Sequence, residues 1–517
     1  MITEDQTPIV DFLASPSAHG GDAVERIDTH TAIVVLAGAR AYKLKRAVRF
    51  DYLDFSTVEQ RRRFCEAEVR LNRRTAPTLY RRVAAVTRQS DGSLALGGSG
   101  EPVDWVVEMN RFPQEGLLDR LAGSGRLDPG LMEPLAAAVA ALHGVAGRRP
   151  DHGGRDGMAW VIDGNASGFT EFGAPSLDPA ACSKVIAATR RELERRADLL
   201  DARRRAGFVR ECHGDLHLRN IVVLDGRPTL FDGIEFNERI SCTDVLYDLA
   251  FLLMDLWRRG LPGHASAVWN RYLSETWDLN GVPLLPLFLS CRAAVRAKTS
   301  ATAAKLQNDA RRRDELQGLA REYLAMAEAF LHPTGASLIG IGGFSGSGKS
   351  VLARALAPSI GPVPGAIVLR SDVVRKRLLG VEPRTRLGPE GYTSDVSLRV
   401  YAALVEQATE AVRGGHAVIV DAVHAQLAER HALARAAAQA GVPFAGIWLD
   451  APESTLIARI EARRNDVSDA DADIVRMQCE KGAGAIDWRR LDASAPLAEV
   501  ERTAADMWGP ALAGPDR

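Results

Sequence analysis

Residues 338–356 read LIGIGGFSGSGKSVLARAL. An apolar stretch runs into Gly-Phe-Ser-Gly-Ser-Gly-Lys-Ser at 343–350, and a helical run follows directly. The spacing G-x-x-x-x-G-K-S, set between a strand and a helix, predicts a loop whose backbone N–H groups close around phosphate oxygens. Gly343, Gly346 and Gly348 allow that close approach, and the helix that follows turns its positive end toward the same anion. Lys349 is expected to reach the β and γ phosphates and Ser350 to ligate magnesium. The nucleotide surface is expected to extend through Ser345 and Ser347 to Val351.

Strand and helix alternate repeatedly downstream of this loop, which predicts a parallel α/β sheet. Ligands of such sheets gather beyond the carboxyl ends of the strands. AIVLRSD puts Asp372 just past one strand and HAVIVDA puts Asp421 at the end of another. Asp372 is the candidate base or orienting group for an acceptor hydroxyl, and Asp421 the candidate magnesium carboxylate; an N-cap or salt-bridge role is the plainer reading of each. After GIWLD, the run STLIARIEARRND carries Arg459 and Arg463 four residues apart, with Arg464 beside them. They are expected either to close over the transferring phosphoryl group or to form a solvated basic face. Arg370, Arg375 and Arg377 flank Asp372 and would hold an anionic part of an acceptor or simply coat a helix. These pieces, with SDA at 468–470, resemble the small P-loop kinases that phosphorylate hydroxyls: gluconate kinase, chloramphenicol phosphotransferase, polynucleotide 5′-kinase and the zeta toxins.

Upstream, HPTGAS at 332–337 reads as a linker between a domain at 1–331 and one at 338–517. Residues 30–110 have strand patterns around one charged helix, and helical patterns dominate from 117 to about 330. HGDLHLRN at 213–220 interrupts those helices. Its H-x-D-x-x-x-x-N spacing predicts that Asp215 orients an acceptor hydroxyl while Asn220 turns back to a metal ion. IVVL, a DGRP turn and TLFDGIEF form an expected hairpin that returns Asp232 beside Asn220 as a second metal ligand. The segment resembles the aminoglycoside phosphotransferase and choline kinase group over roughly residues 20–325, with DGIE at 232–235 in place of Asp-Phe-Gly. That resemblance implies a strand lysine on the α and β phosphates, Lys43 or Lys45, paired with Glu68 or Glu66. It also implies a hinge at residues 108–111, including Met109, that meets adenine. A glycine-rich phosphate loop is not evident near residues 20–40, where only GGD at 20–22 and AGAR at 37–40 offer glycine.

The expected fold is therefore two-domain: an N-terminal α+β protein-kinase-like bilobal fold and a C-terminal α/β P-loop NTPase with a parallel sheet. Together they resemble the bifunctional aminoglycoside phosphotransferase/ATP-binding proteins. That implies an ATP-dependent kinase using ATP and Mg2+ on a small-molecule or nucleotide-like hydroxyl acceptor, with nucleic acid only as an acceptor end. A regulatory protein in which one kinase-like domain senses nucleotide for the other is the alternative, and an assembly-type ATPase a third. The formal net charge of -1 removes any global electrostatic argument for nucleic-acid binding. Six cysteines with no CxxC pair suggest neither a zinc site nor a disulfide framework. No basic-then-apolar leader opens the chain and no apolar run reaches bilayer length, so a cytoplasmic location without membrane contact is expected.

Overall fold

The computed structural model describes residues 2–382, 385–462 and 468–506. The chain divides into two compact units, Met1–Gly164 with Leu193–Asp255 and Asn165–Glu192 with Leu256–Arg517.

The first unit contains a six-stranded antiparallel sheet in the order Val24–Asp28, Ala32–Ala37, Arg40–Lys45, Glu101–Asn110, Tyr80–Arg88, Leu94–Leu96. Alternation along Arg40–Lys45 sorts its side chains to two faces. Tyr42 and Leu44 pack with Ile33, Val35 and Val106 and with Ile9 and Leu13 of the short helix Thr7–Leu13. Lys43 and Lys45 turn to the other face, which the helix Val58–Asn72 covers. That helix starts at Thr57, whose hydroxyl accepts the Gln60 amide at 3.2 Å, and it buries Cys65, Glu68, Val69 and Asn72. Sequence reading missed the helix Thr7–Leu13 and the strand Val24–Asp28. The strand is an edge whose charged VERID is mostly exposed, so it has no apolar periodicity to read. Farther along, the hairpin Ile221–Leu224 and Arg227–Leu230 forms where the DGRP turn places it.

In the second unit five parallel strands lie in the order Ile367–Arg370, Val418–Asp421, Leu338–Gly343, Phe444–Asp450, Arg489–Asp492. Leu338–Gly343 is central and buried along its whole length, as a parallel strand covered on both faces must be. The chain leaves this strand toward one edge and later returns to fill the other side, so the loop after Gly343 opens at the topological switch point. Residues 256–331, which the sequence places before the linker, pack in this same unit. Asn270, on the helix Pro262–Thr276, extends the sheet edge with its amide: Nδ2 donates to Ala366 O at 3.1 Å and Oδ1 accepts Val368 N at 2.7 Å. No helix among the described residues is long and apolar enough to cross a membrane.

Candidate active sites

In the second unit the Gly-rich loop closes as its spacing predicts. Gly343 and Gly346 have φ of +137° and +84°, and a Cβ at either would lie within 2.6 Å of a backbone oxygen, of Leu449 or Leu456. No side chain fits there. The loop ends at Gly348, and Lys349 and Ser350 open the helix Lys349–Leu356 with Val351 half-exposed beside them. Ser350 Oγ donates to Asp421 Oδ2 at 2.5 Å, so the loop hydroxyl and the strand-end carboxylate meet. Lys349 Nζ donates to Phe344 O at 3.0 Å. Ser345 N donates to Gln478 Oε1 at 2.8 Å, a contact from the helix Ala472–Lys481 that motif reading did not find. Ser347 Oγ is buried without a partner.

A cleft of about 1270 Å³ spreads from this loop and is lined also by Arg370, Asp372, Asp421 and Arg459. Burial pushes the Asp372 carboxyl above the ordinary range, with Arg370 opposing and Asp421 adding to the rise. Arg459 donates Nη2 to Ala493 O at 2.7 Å, tying it to the part of the wall formed by Ala493, Ala495, Leu497 and Val500. Arg463 and Arg464 lie outside the described residues. Of the three arginines around Asp372, Arg377 stands apart: Nη1 donates to Glu275 O at 3.2 Å, and the guanidinium lies 4.9 Å from the centre of the Trp277 ring.

The first unit gathers its polar residues through side chains. Glu68, fully buried, accepts from Lys43 Nζ at 2.9 Å and from Lys45 Nζ at 2.6 Å. Lys43 also contacts Asp232, and Lys45 contacts Glu235. Both lysines thus share one carboxylate, while Glu66 is exposed and pairs with Arg62. Burial opposes ionisation of Glu68, but Lys43 and Lys45 outweigh it and hold the carboxyl down at about 2. For Glu235, burial wins and the carboxyl is pushed up. Glu235 belongs to the site although only its motif, and not its role, was legible.

Asp232 has φ +61°, an uncommon backbone for a residue with a side chain. Its amide donates to Tyr80 OH at 3.0 Å, and the Gly233 amide donates to Asn72 Oδ1 at 2.7 Å. Asn220 Nδ2 donates to Asp215 Oδ2 at 3.0 Å, and His217 Nε2 lies 3.3 Å from the same oxygen. The loop itself hangs on two buried carboxylates. Asp248 accepts the amides of His213 at 3.1 Å and Gly214 at 2.8 Å, and Asp255 accepts that of Leu218 at 3.1 Å. At the expected hinge, the Asn110 and Arg111 amides donate to Leu79 O and Ala39 O, Met109 is buried, and Glu108 pairs with Arg81 and Arg82. A purine would have to be met there by other backbone groups. The turn between the first two strands has no glycine. It is closed instead by Thr29 Oγ1, which donates to Ala32 O and accepts Ala32 N, both at 2.9 Å.

The two sites mark a two-domain phosphotransferase, a kinase-like fold followed by a P-loop kinase fold. The phosphotransferase enzyme family matches residues 62–280, and a family described as an AAA domain matches residues 338–482. An uncharacterized protein of Mycobacterium tuberculosis is 30% identical over 501 residues, 94% of this chain and 95% of the relative, and a counterpart in Mycobacterium bovis matches equally. The chain belongs to this family, in which an aminoglycoside-phosphotransferase-type domain is fused to a P-loop kinase domain. Among solved structures, a gluconokinase from Sinorhizobium meliloti is 24% identical, covering 33% of this chain and 90% of that one with a TM-score of 0.25. A thermostable mutant of an aminoglycoside phosphotransferase is 17% identical, covering 62% of this chain and 98% of that one with a TM-score of 0.39.

Proposed function

We propose that this phosphotransferase has two magnesium-ATP sites and passes the γ-phosphoryl group to hydroxyls of small-molecule or nucleotide-like acceptors. The observation that carries the reading is the meeting of Ser350 and Asp421 at 2.5 Å, on a cleft that Lys349 and Asp372 also line. Ser350 and Asp421 offer an all-oxygen donor set suited to magnesium, as do Asn220 and Asp232 in the first unit. Bound there, the ion would offset charge on the β and γ phosphates.

The chain's own part is positioning and proton handling. In the P-loop site Lys349 would leave Phe344 O for the phosphates, and the loop amides would hold them. Arg459, fixed to Ala493 O, is better placed to bound the nucleotide than to reach the acceptor. Asp372 takes the hydroxyl proton as the acceptor oxygen bonds to the γ-phosphorus; the bond from that phosphorus to the bridging oxygen breaks and ADP departs. Burial raises the pKa of Asp372 and so makes it a stronger proton acceptor than an exposed aspartate. In the first unit Asp215 has the corresponding role, Asn220 and Asp232 would hold the metal, and Lys43, which bridges Glu68 and Asp232, contacts the phosphates with Glu68 as its anchor. Lys45, more deeply buried, secures Glu68 and Glu235.

The glycine-free turn at Thr29 favours a second reading, in which the first site binds nucleotide without turnover and reports it to the other. Transfer of label from γ-labelled ATP to an acceptor panel, with wild type, Asp215→Ala and Lys349→Ala in parallel, separates the readings. Each reaction is expected to vanish in one variant only. Transfer lost only in Lys349→Ala, with nucleotide binding kept in the first unit, would favour the regulatory reading, and no transfer at all would overturn the first.

A further inference from the structure

The strand Ile367–Arg370 is an edge of the parallel sheet, and Asp372 follows directly on it. Residues of a strand turn their backbone groups to alternate sides. Ile367 N donates inward to Ala417 O at 2.9 Å, while Ala366 O and Val368 N face outward, where an edge strand is ordinarily left unpaired. Here both outward groups meet one side chain. Asn270 Nδ2 donates to Ala366 O at 3.1 Å and Oδ1 accepts Val368 N at 2.7 Å, the bonds that a residue of a further strand would make. Nδ2 also donates to Ser266 O at 3.0 Å, one turn back on the same helix. A reversed carboxamide would set its oxygen against two carbonyls and its NH2 against an amide N–H, so the orientation is fixed.

Residues in and just after the helix Pro262–Thr276 grip the same segment at two further points. Trp269, fully buried, has its ring centre 6.1 Å from that of His416, whose Nε2 donates to Gly365 O at 2.9 Å just before the strand. Past Asp372, Arg377 is held by Glu275 O and the Trp277 ring. The stretch 365–377 is thus fastened on both sides of Asp372 by residues that precede the linker at 332–337. Ile367 stands opposite Val418 and Arg370 opposite Asp421, with Arg370 Nε 3.4 Å from Asp421 Oδ2. A slip of the strand by one residue would move Asp372 by about 3.3 Å and turn the wrong backbone groups to Asn270. Inside the cleft a separate latch ties the helix Ser371–Leu378: Asp469 accepts Lys376 Nζ at 2.9 Å, Tyr392 OH at 2.9 Å and Leu387 N at 3.1 Å. That latch leaves the outer side of the strand to Asn270.

Resting on the reading of Asp372 as the base of the P-loop site, we propose that Asn270 is a positioning residue of that site: by completing the sheet edge it sets where Asp372 stands relative to Asp421 and the phosphates. Phosphotransfer in the P-loop cleft then depends on a helix upstream of the linker. The dependence is one-sided. The nucleotide loop follows the central strand Leu338–Gly343 and does not rest on Asn270, whereas the strand that leads to Asp372 does.

Hydrogen exchange read by mass spectrometry on the full chain, with magnesium and a non-hydrolysable ATP analogue, tests the placement. In Asn270→Ala and Asn270→Asp, peptides from 366–377 should exchange about tenfold faster or more, while those from 338–356 keep wild-type protection and the analogue still binds. Unchanged protection at 366–377 would overturn the proposal. So would lost protection throughout the unit, which would make Asn270 a general support. Label transfer from γ-labelled ATP to glycerol, gluconate and adenosine then tests the consequence. Lys349-dependent kcat should fall about tenfold to a hundredfold in Asn270→Ala with KM for magnesium-ATP unchanged. Its acid limb should move down toward the ordinary aspartate range as Asp372 leaves its buried place. Faster exchange at 366–377 with kcat and acid limb unaltered would overturn the positioning role. No transfer from wild type to any acceptor would sink the reading of Asp372 as base, and the exchange pattern would still decide whether Asn270 places the segment.

Discussion

The two sites solve the same electrostatic problem with different parts of the chain. In the P-loop cleft, positive potential comes from backbone amides of one contiguous loop, and a single lysine rests on a carbonyl, Phe344 O. In the first unit the positive groups are side chains already held by carboxylates, Lys43 and Lys45 among Glu68, Asp232 and Glu235. To take an anion the backbone cradle gives up only neutral partners, the Gln478 amide on the Ser345 N–H and Phe344 O on Lys349. A side-chain cluster must release one partner, here Asp232 from Lys43, before metal and phosphate enter. The first site is therefore the one in which nucleotide binding should cost more and respond more to the loss of a single charge.

The largest effect expected from this contrast is at Asp215. Asp215→Ala should lower label transfer in the first unit by about 10²–10⁴-fold while transfer dependent on Lys349 is unchanged. If both reactions fell together, the sites would not be independent. Lys349→Ala should cost the P-loop reaction about 10²–10³-fold and spare the first.

Glu68→Gln separates the two architectures by stability. Two lysines, one fully buried, lose a shared anion, and unfolding in urea should show a loss of about 3–5 kcal/mol. Ser350→Ala in the other unit should cost less, about 1–2 kcal/mol, because the buried Asp421 that accepts the Ser350 hydroxyl keeps Arg370 at 3.4 Å. A small effect of Glu68→Gln would mean that water or Asp232 rescues the lysines.

The smallest expected effect is a displaced pH profile. To act as the proposed base Asp372 must be ionised, and burial raises its pKa from the ordinary aspartate value. The acid limb of kcat/KM for the P-loop reaction should therefore lie above the ordinary aspartate range, and the rate should fall as pH drops through that raised value. Asp372→Asn should remove the limb along with most of the rate. A limb at the ordinary position would contradict the assignment of Asp372 as base.

The same contrast explains what the sequence made legible. A backbone cradle needs residues in a row, so GFSGSGKS announced its strand, loop and helix together, and apolar runs announced the inner strands of the sheet, while its charged edge strand Arg489–Asp492 left no such signal. The cluster in the first unit joins Lys43 to Asp232 across 189 positions, and no local pattern says which of two lysines or two glutamates will meet. Alternation along Arg40–Lys45 put both lysines on one face, and the helix phase of Glu68 brings it to them, while Glu66 turns out to Arg62. Lysine is rare here, eight against 57 arginines, and Lys43, Lys45, Lys349 and Lys376 all fall in or beside the two sites. Contacts that support loops from a distance left no motif. The Gln478 amide on the Ser345 N–H and the Asp469 latch became visible only when the fold brought residues 345 and 478, or 376 and 469, together.

The most direct test of the central claim is the number of magnesium-dependent nucleotide sites per chain, counted by calorimetry with a non-hydrolysable ATP analogue. Two sites are expected in wild type, one in Lys349→Ala, one in Asp232→Asn and none in the double variant. A single site in wild type, or the loss of both in either single variant, would contradict an account built on two separate phosphotransferase centres.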